Sequence, residues 1–229
     1  MNTPVAPPVP QATAATSLLK ALGIVSSVCG LIIVAAYQGT YDAAAANRRL
    51  ALERTVFALI PQAKSMDAWQ ATAQGIQPAG GEADAKAVKF YAAYDAQGAL
   101  AGIAAEGAAK GYADTVKILY SYAPACQCVT GFGVVASKET PGIGDKVTSD
   151  KAFLANFEAL DARLDAELAG LANAIQVVKH GSKTQPWQID AIAGATITSR
   201  AVGKAINDSA RRLLPKLVPE LEKLGKKAS

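Results

Sequence analysis

A single histidine in 229 residues argues against a metal site or general base built on histidine. His180 sits in "KHGSK", a polar, turn-like stretch, and reads as a surface residue rather than a ligand. No Ser/His/Asp or Cys/His set can be assembled, so a membrane-anchored hydrolase has no nucleophile–base pair to name. Cysteine is scarce too, and three of them make no disulfide framework. Cys126 and Cys128 form Cys-Gln-Cys, neither a haem-attachment motif nor a doubled zinc motif. On a strand, positions i and i+2 share a face, so the pair reads as two small core hydrophobes, a disulfide across one residue being strained. Charge is sparse: 18% of residues, with 23 basic against 19 acidic for a net +4. No dense Lys/Arg run with interleaved aromatics occurs, which argues against a nucleic-acid partner.

Apolar sequence is plentiful, at 51% of residues. From Ala21 to Tyr41 the chain carries no charged side chain, and about 20 such residues suffice to cross a bilayer as a helix. The run is long for a signal-peptide core, and helical pattern continues beyond it. Gly23/Ser27 and Ser26/Gly30 are small residues at the spacing that lets membrane helices approach closely, which favours a partner helix. Lys20 precedes the run, whereas Arg48, Arg49 and Arg54 follow it. By charge alone the C-terminal side would lie in the cytoplasm.

The remainder divides by pattern. Residues 1–16, rich in Pro, Ala and Thr, read as disordered; 17–41 as the membrane helix; 42–61 as a helical stalk. Leu52, Val56, Leu59 and Ile60 repeat at helical spacing, and Pro61 ends the run. Residues 61–85 read as loops. "AVKFYAAYD" and "ALAGIAAEG" around "AQG" predict a hairpin, and "TVKILYSYAP" and "CQCVTGFGVVAS" two further strands with a turn at Pro124. Residues 149–176 read as mostly helical, with Ser149 or Asp150 as N-cap. A last helix starts near Thr196 and is interrupted at Pro215. Residues 216–229 form a basic, solvated tail. A strand meander followed by helices predicts an α+β domain over 62–215 with an antiparallel sheet.

Two stretches make unusual local demands. In "SKETPGIGDKV", Thr140 before Pro141 is biased to extended geometry, while Gly142 and Gly144 permit close approach to the backbone. In "DAIAGATITS", Gly194 and Ala195 leave room for a large body beside a helix start. Thr196 or Thr198 can cap that helix, the plain structural reading. The same helix start, with free N–H groups and partial positive charge, also suits a phosphate.

Taken together, "KETPGIGDK" and "DAIAGATITS" resemble the FMN-binding domain family. More narrowly they resemble the G subunits of Rnf electron-transport complexes, related to the C subunits of sodium-pumping NADH:quinone reductases. The resemblance implies a membrane helix, a stalk and an FMN-binding α+β domain. It implies FMN joined through its phosphate to Thr196 by an external flavin transferase, which recognises Asp190, Gly194 and Ala195. Ala193 stands where the family has Ser or Thr. It implies that the loop of Glu139, Thr140, Gly142, Ile143 and Gly144 lies beside the flavin ring, Ile143 replacing a family Leu. It further implies other membrane subunits as partners, electron flow between ferredoxin and NAD coupled to ion movement, and a flavin domain facing the periplasm of a bacterial inner membrane. That orientation opposes the charge reading, and subunit assembly can override a few flanking arginines.

Two rivals remain from the residues alone. One is a stand-alone membrane-anchored FMN carrier serving an extracytoplasmic reductase. The other is a colourless binding or sensor module in which Thr196 is a helix cap and the Glu139 loop is a turn.

Overall fold

A computed structural model describes residues 15–80 and 87–225. Most of the 1–16 segment lies outside that range. The chain divides into two compact units, 1–50 and 51–229.

The first unit holds most of helix α1, Ala15–Leu59. Leu22, Ile24, Val25, Leu31, Ile32 and Ile33 are exposed around it. A helix apolar on every side belongs in lipid or a large core, and α1 is long and apolar enough to cross a bilayer.

The second unit is an α+β domain, as expected. Its main sheet has seven strands in the order β2-β1-β3-β4-β5-β6-β7, all neighbours antiparallel. They are β1 Ser65–Thr72, β2 Gly75–Pro78, β3 Val88–Tyr94, β4 Leu100–Lys110, β5 Thr115–Ala123, β6 Cys128–Ala136 and β7 Leu160–Asp161. Short β8, Gln176–Val178, and β9, Gln188–Asp190, pair in parallel. The expected β3–β4 hairpin and the β5 and β6 strands are present.

Both sheet faces are covered. On one lies helix α3, Thr196–Leu217, whose Val202, Ala205, Ile206, Leu213 and Leu217 join Phe90, Ile103, Ile118 and Tyr120 in the main core. Tyr120 donates to Ser209 Oγ at 3.2 Å, and Ser209 donates on to the Glu106 carbonyl at 2.6 Å, so helix and sheet also meet through a satisfied polar chain. On the other face the stripe foreseen at Leu52, Val56, Leu59 and Ile60 packs on Ala93, Ala104 and Leu119. The final turns of the expected stalk are therefore core, with Val56 fully buried.

Five expectations are corrected. The stretch 61–85, read as loops, contains β1 and β2: Trp69, Ala71 and Ile76 pack into the core, an alternation masked by neighbouring Gly and Pro. Residues 149–176, read as mostly helical, hold only helix α2, Lys151–Ala155, then β7, turns and an isolated Leu164–Leu171 bridge. Asp165 accepts from the Ala169 amide there and Leu168 takes φ 56°, so local side-chain bonding displaces helix. Pro215 does not interrupt α3, which runs to Leu217. Residues 218–224 form a 3₁₀ helix rather than a solvated tail, with Leu224 buried and Glu220 accepting from the Ile76 amide at 3.0 Å. Cys126 and Cys128, read as core hydrophobes, form a disulfide in the β5–β6 turn, with Cys126 exposed. Asp150, one of the two expected caps, does cap α2, accepting from the Phe153 amide at 2.9 Å.

Candidate functional site

At the end of β6 and the start of α3, two stretches fifty residues apart converge on one cavity of about 600 Å³. Glu139, Thr140, Ile143 and Gly144 line it from the first stretch, and Gly194, Ala195, Thr196, Ile197 and Thr198 from the second. Tyr112 completes the rim. A cavity of this size suits an organic cofactor.

Local chemistry explains the helix start. Gly194 has φ +83°, a left-handed conformation that side chains rarely adopt, and open space where a Cβ would stand. Ala195 is the N-cap and offers no side-chain oxygen, so the first-turn N–H groups have no side-chain cap. Neither threonine therefore plays the expected capping part. Thr196 is the first helical residue, half-buried on the cavity, and its hydroxyl has only a long 3.5 Å contact to the Ile192 carbonyl. Thr198 donates to Glu139 Oε2 at 2.6 Å, and Ser199 donates to the Ala195 carbonyl at 2.9 Å while accepting from the Ile192 amide at 3.1 Å. Of the three neighbouring hydroxyls, Thr198 and Ser199 are committed to holding the fold.

Glu139 ties the site together. Besides Thr198, its carboxylate accepts from the Ala113 amide at 3.0 Å and the Tyr112 amide at 3.3 Å. Burial alone would push this carboxyl up, but the hydrogen bonds from Thr198, Ala113 and Tyr112 outweigh it and hold the group below the usual glutamate value. The surrounding glycines are sterically required. A Cβ at Gly111 would stand 2.5 Å from Glu139 Oε1, and one at Gly144 would meet both Glu139 and Thr198. Gly142, at φ +78°, lets the loop turn back.

Asp190 and Ala193 do not line this cavity. They face a second one of about 430 Å³, with Lys146, Asp150, Phe153 and His180. Asp190 accepts from the Gly181 amide at 2.9 Å and the Ser182 amide at 3.3 Å, anchoring the turn after β8. His180 is mostly exposed, as expected, with Nδ1 3.0 Å from the Ala191 carbonyl. Sequence reasoning missed Asn156, which is buried. It accepts from the Asp190 amide at 3.1 Å and from Lys183 Nζ at 3.1 Å, fixing β9 beside α2. Tyr112 was also missed as a lining residue, although "GYADTVKILYSY" matches a family segment; its place on the rim depends on the distant Glu139, which accepts from its amide. Among the described residues no group of three or more His, Cys, Asp or Glu side chains is placed to hold a metal.

The chain is similar to several known proteins. Residues 111–211 match the model of the FMN-binding domain family. The chain is 28% identical over 197 residues to the G subunit of the proton-translocating ferredoxin:NAD(+) oxidoreductase complex of Clostridium ljungdahlii, covering 86% of this chain and 90% of that one. It is 37% identical over 111 residues to the G subunit of an ion-translocating oxidoreductase complex of Pasteurella multocida, covering 48% of this chain and 50% of the relative. The chain thus spans about half the length of this second relative. The fold is similar to the crystal structure of NqrC from Shewanella oneidensis, with a TM-score of 0.57 at 20% identity, covering 78% of this chain and 98% of that one. The resemblance carried by the two motifs, to the FMN-binding domain family and to the G subunits of Rnf-type complexes, therefore holds.

Proposed function

We propose that this chain, with its FMN-binding domain at 111–211, is a membrane-anchored flavoprotein electron carrier bearing FMN esterified through its phosphate to Thr196. It serves as a subunit of an Rnf-type complex, beside other membrane subunits, with the flavin domain facing the periplasm. The observation that carries this reading is the placement of Thr196. Its weakly engaged hydroxyl sits in the first turn of a 22-residue helix, on the cavity shared with the Glu139–Gly144 loop.

The residues fit the group. A helix N-terminus without a side-chain cap offers N–H donors and partial positive charge to a phosphate. Gly194 and Ala195 leave the approach clear, and the lining of Ile143, Ile197 and Tyr112 offers apolar surface to a flat ring. FMN, when bound, supplies reversible electron transfer. The protein's own part is to tether, orient and shield, which fits a chain without a nucleophile–base pair. Glu139 orients rather than reacts, since its oxygens are already engaged by Thr198 and two backbone amides. Asp190, on the neighbouring cavity, and Gly194 and Ala195, beside Thr196, would be read by the flavin transferase during maturation.

The test uses the chain expressed in its native membrane. Denaturing-gel flavin fluorescence should follow the polypeptide, and the peptide containing Thr196 should gain the mass of FMN less one water. Thr196→Ala should lose both while remaining folded. A colourless wild-type protein with an unmodified Thr196 peptide would leave the binding-module reading in its place.

A further inference from the structure

The Cys126–Cys128 disulfide lies in the turn between β5 and β6, whereas the flavin-sized cavity adjoins the other end of β6. It joins residues only two apart in sequence. A cross-link stabilises a fold by restricting the unfolded chain, and the shortest loops restrict it least. Backbone bonds already hold the turn. The Gln127 amide donates to the Pro124 carbonyl at 3.3 Å, the Gln127 carbonyl accepts from the Ala162 amide at 3.1 Å, and Cys128 is in register with Asp161 of β7. Gln127 takes φ 50°, one of two described non-glycine residues at positive φ, a conformation that carries strain for a side chain. The two sulfurs are inequivalent: Cys126 is exposed, while Cys128 is 5% exposed. Ala123 O lies 3.5 Å from Cys126 Sγ, placed to accept from a thiol once the bond opens.

We propose that Cys126–Cys128 is a thiol–disulfide exchange site, attacked at Cys126 by a partner protein dithiol. A partner thiolate attacks Cys126 Sγ, the Cys126–Cys128 bond breaks, and Cys128 leaves as a thiolate that takes up a proton. The partner's second thiolate then attacks its own first sulfur, and Cys126 leaves as a thiolate that is protonated in turn. Two electrons and two protons pass to this chain, and the partner becomes the disulfide. The backbone bonds keep the two thiols adjacent, so the bond re-forms in the reverse sequence. The proposal does not depend on the flavin.

The test takes the full chain, purified in detergent without reductant, and equilibrates it natively with millimolar reduced and oxidised glutathione or dithiothreitol as probes. Thiols are then trapped with a maleimide, and labels on the peptide containing both cysteines are counted by mass. The expected result is complete conversion from no label to two labels in the folded protein at millimolar reduced glutathione, reversed by oxidised glutathione. In single variants, Cys126 of Cys128→Ser should form a mixed disulfide with oxidised glutathione about ten-fold faster than Cys128 of Cys126→Ser. A bond that opens only in denaturant would overturn the proposal and make the disulfide structural. Equal rates in the two variants would overturn attack at Cys126. Flavin fluorescence, read on the same samples, reports separately on Thr196.

Discussion

At Glu139 one carboxylate joins three segments that are far apart in sequence: the Tyr112–Ala113 turn, its own loop and the first turn of α3. Glu139→Gln keeps the shape and removes the charge. The loss should be about 1–3 kcal/mol at neutral pH, because hydrogen bonds to charged groups are the stronger ones, measured as a lower urea midpoint. Since folding lowers this carboxyl's pKa, its stabilisation is complete above the ordinary glutamate value, about 4.3. It disappears as pH falls through the depressed folded value. The stability gap between wild type and Glu139→Gln should therefore begin to narrow as pH falls below about 4.3 and close below the depressed folded value; a gap that does not narrow with acidification would exclude the ionised clamp. Thr196→Ala acts differently. It touches no short hydrogen bond and should change stability by less than about 1 kcal/mol while abolishing flavin.

Among elements, α3 is the one on which the site depends. It packs on β4 so closely that a Cβ at Gly107 would stand 2.7 Å from the Ala205 carbonyl, a backbone atom that cannot swing away. Gly107→Ala should cost about 1–3 kcal/mol by overpacking, read in urea denaturation. Because α3 also carries Thr196, the variant should reduce flavin content as well. No such loss is expected from alanine at Gly98, a hairpin glycine with open space where a Cβ would stand, where only positive φ opposes the change. This seam was invisible in sequence, since Gly107 sits within an ordinary strand pattern. The Asp150 cap and the end of α1 before Pro61 were legible, because both rest on neighbours in the chain.

The whole molecule combines a bilayer-length helix with a domain that closes on itself from residue 51 onward. A chain of residues 51–229 should be soluble and unfold in one cooperative step. Removing residues 1–61 instead strips Val56 and Ile60 from Ala93, Ala104 and Leu119. That should lower the melting temperature by at least several degrees, as loss of two large buried side chains implies. If the shorter fragment is equally stable, the packing of α1 on the sheet contributes nothing. The orientation proposal is tested in spheroplasts, where external protease should digest the domain; protection would return the charge reading from Arg48, Arg49 and Arg54 to the front.

What the sequence determined by itself was whatever depends on near neighbours or on side-chain inventory. The uncharged Ala21–Tyr41 run, the β3–β4 hairpin and the α+β class all fall there. The two motifs also showed which residues to watch, Glu139–Gly144 and Asp190–Thr196. Tertiary structure decided the rest, because contact energies between distant segments leave no local pattern. It made strands of 65–78 by giving Trp69 and Ile76 a core to enter, and it left 156–175 mostly non-helical. It carried α3 through Pro215 by burying Leu213, Leu214 and Leu217 around it. It separated Asp190 from Thr196 into two cavities. It also assigned the hydroxyls: Thr198 and Ser199 met partners in the folded chain, and Thr196 was left facing the cavity.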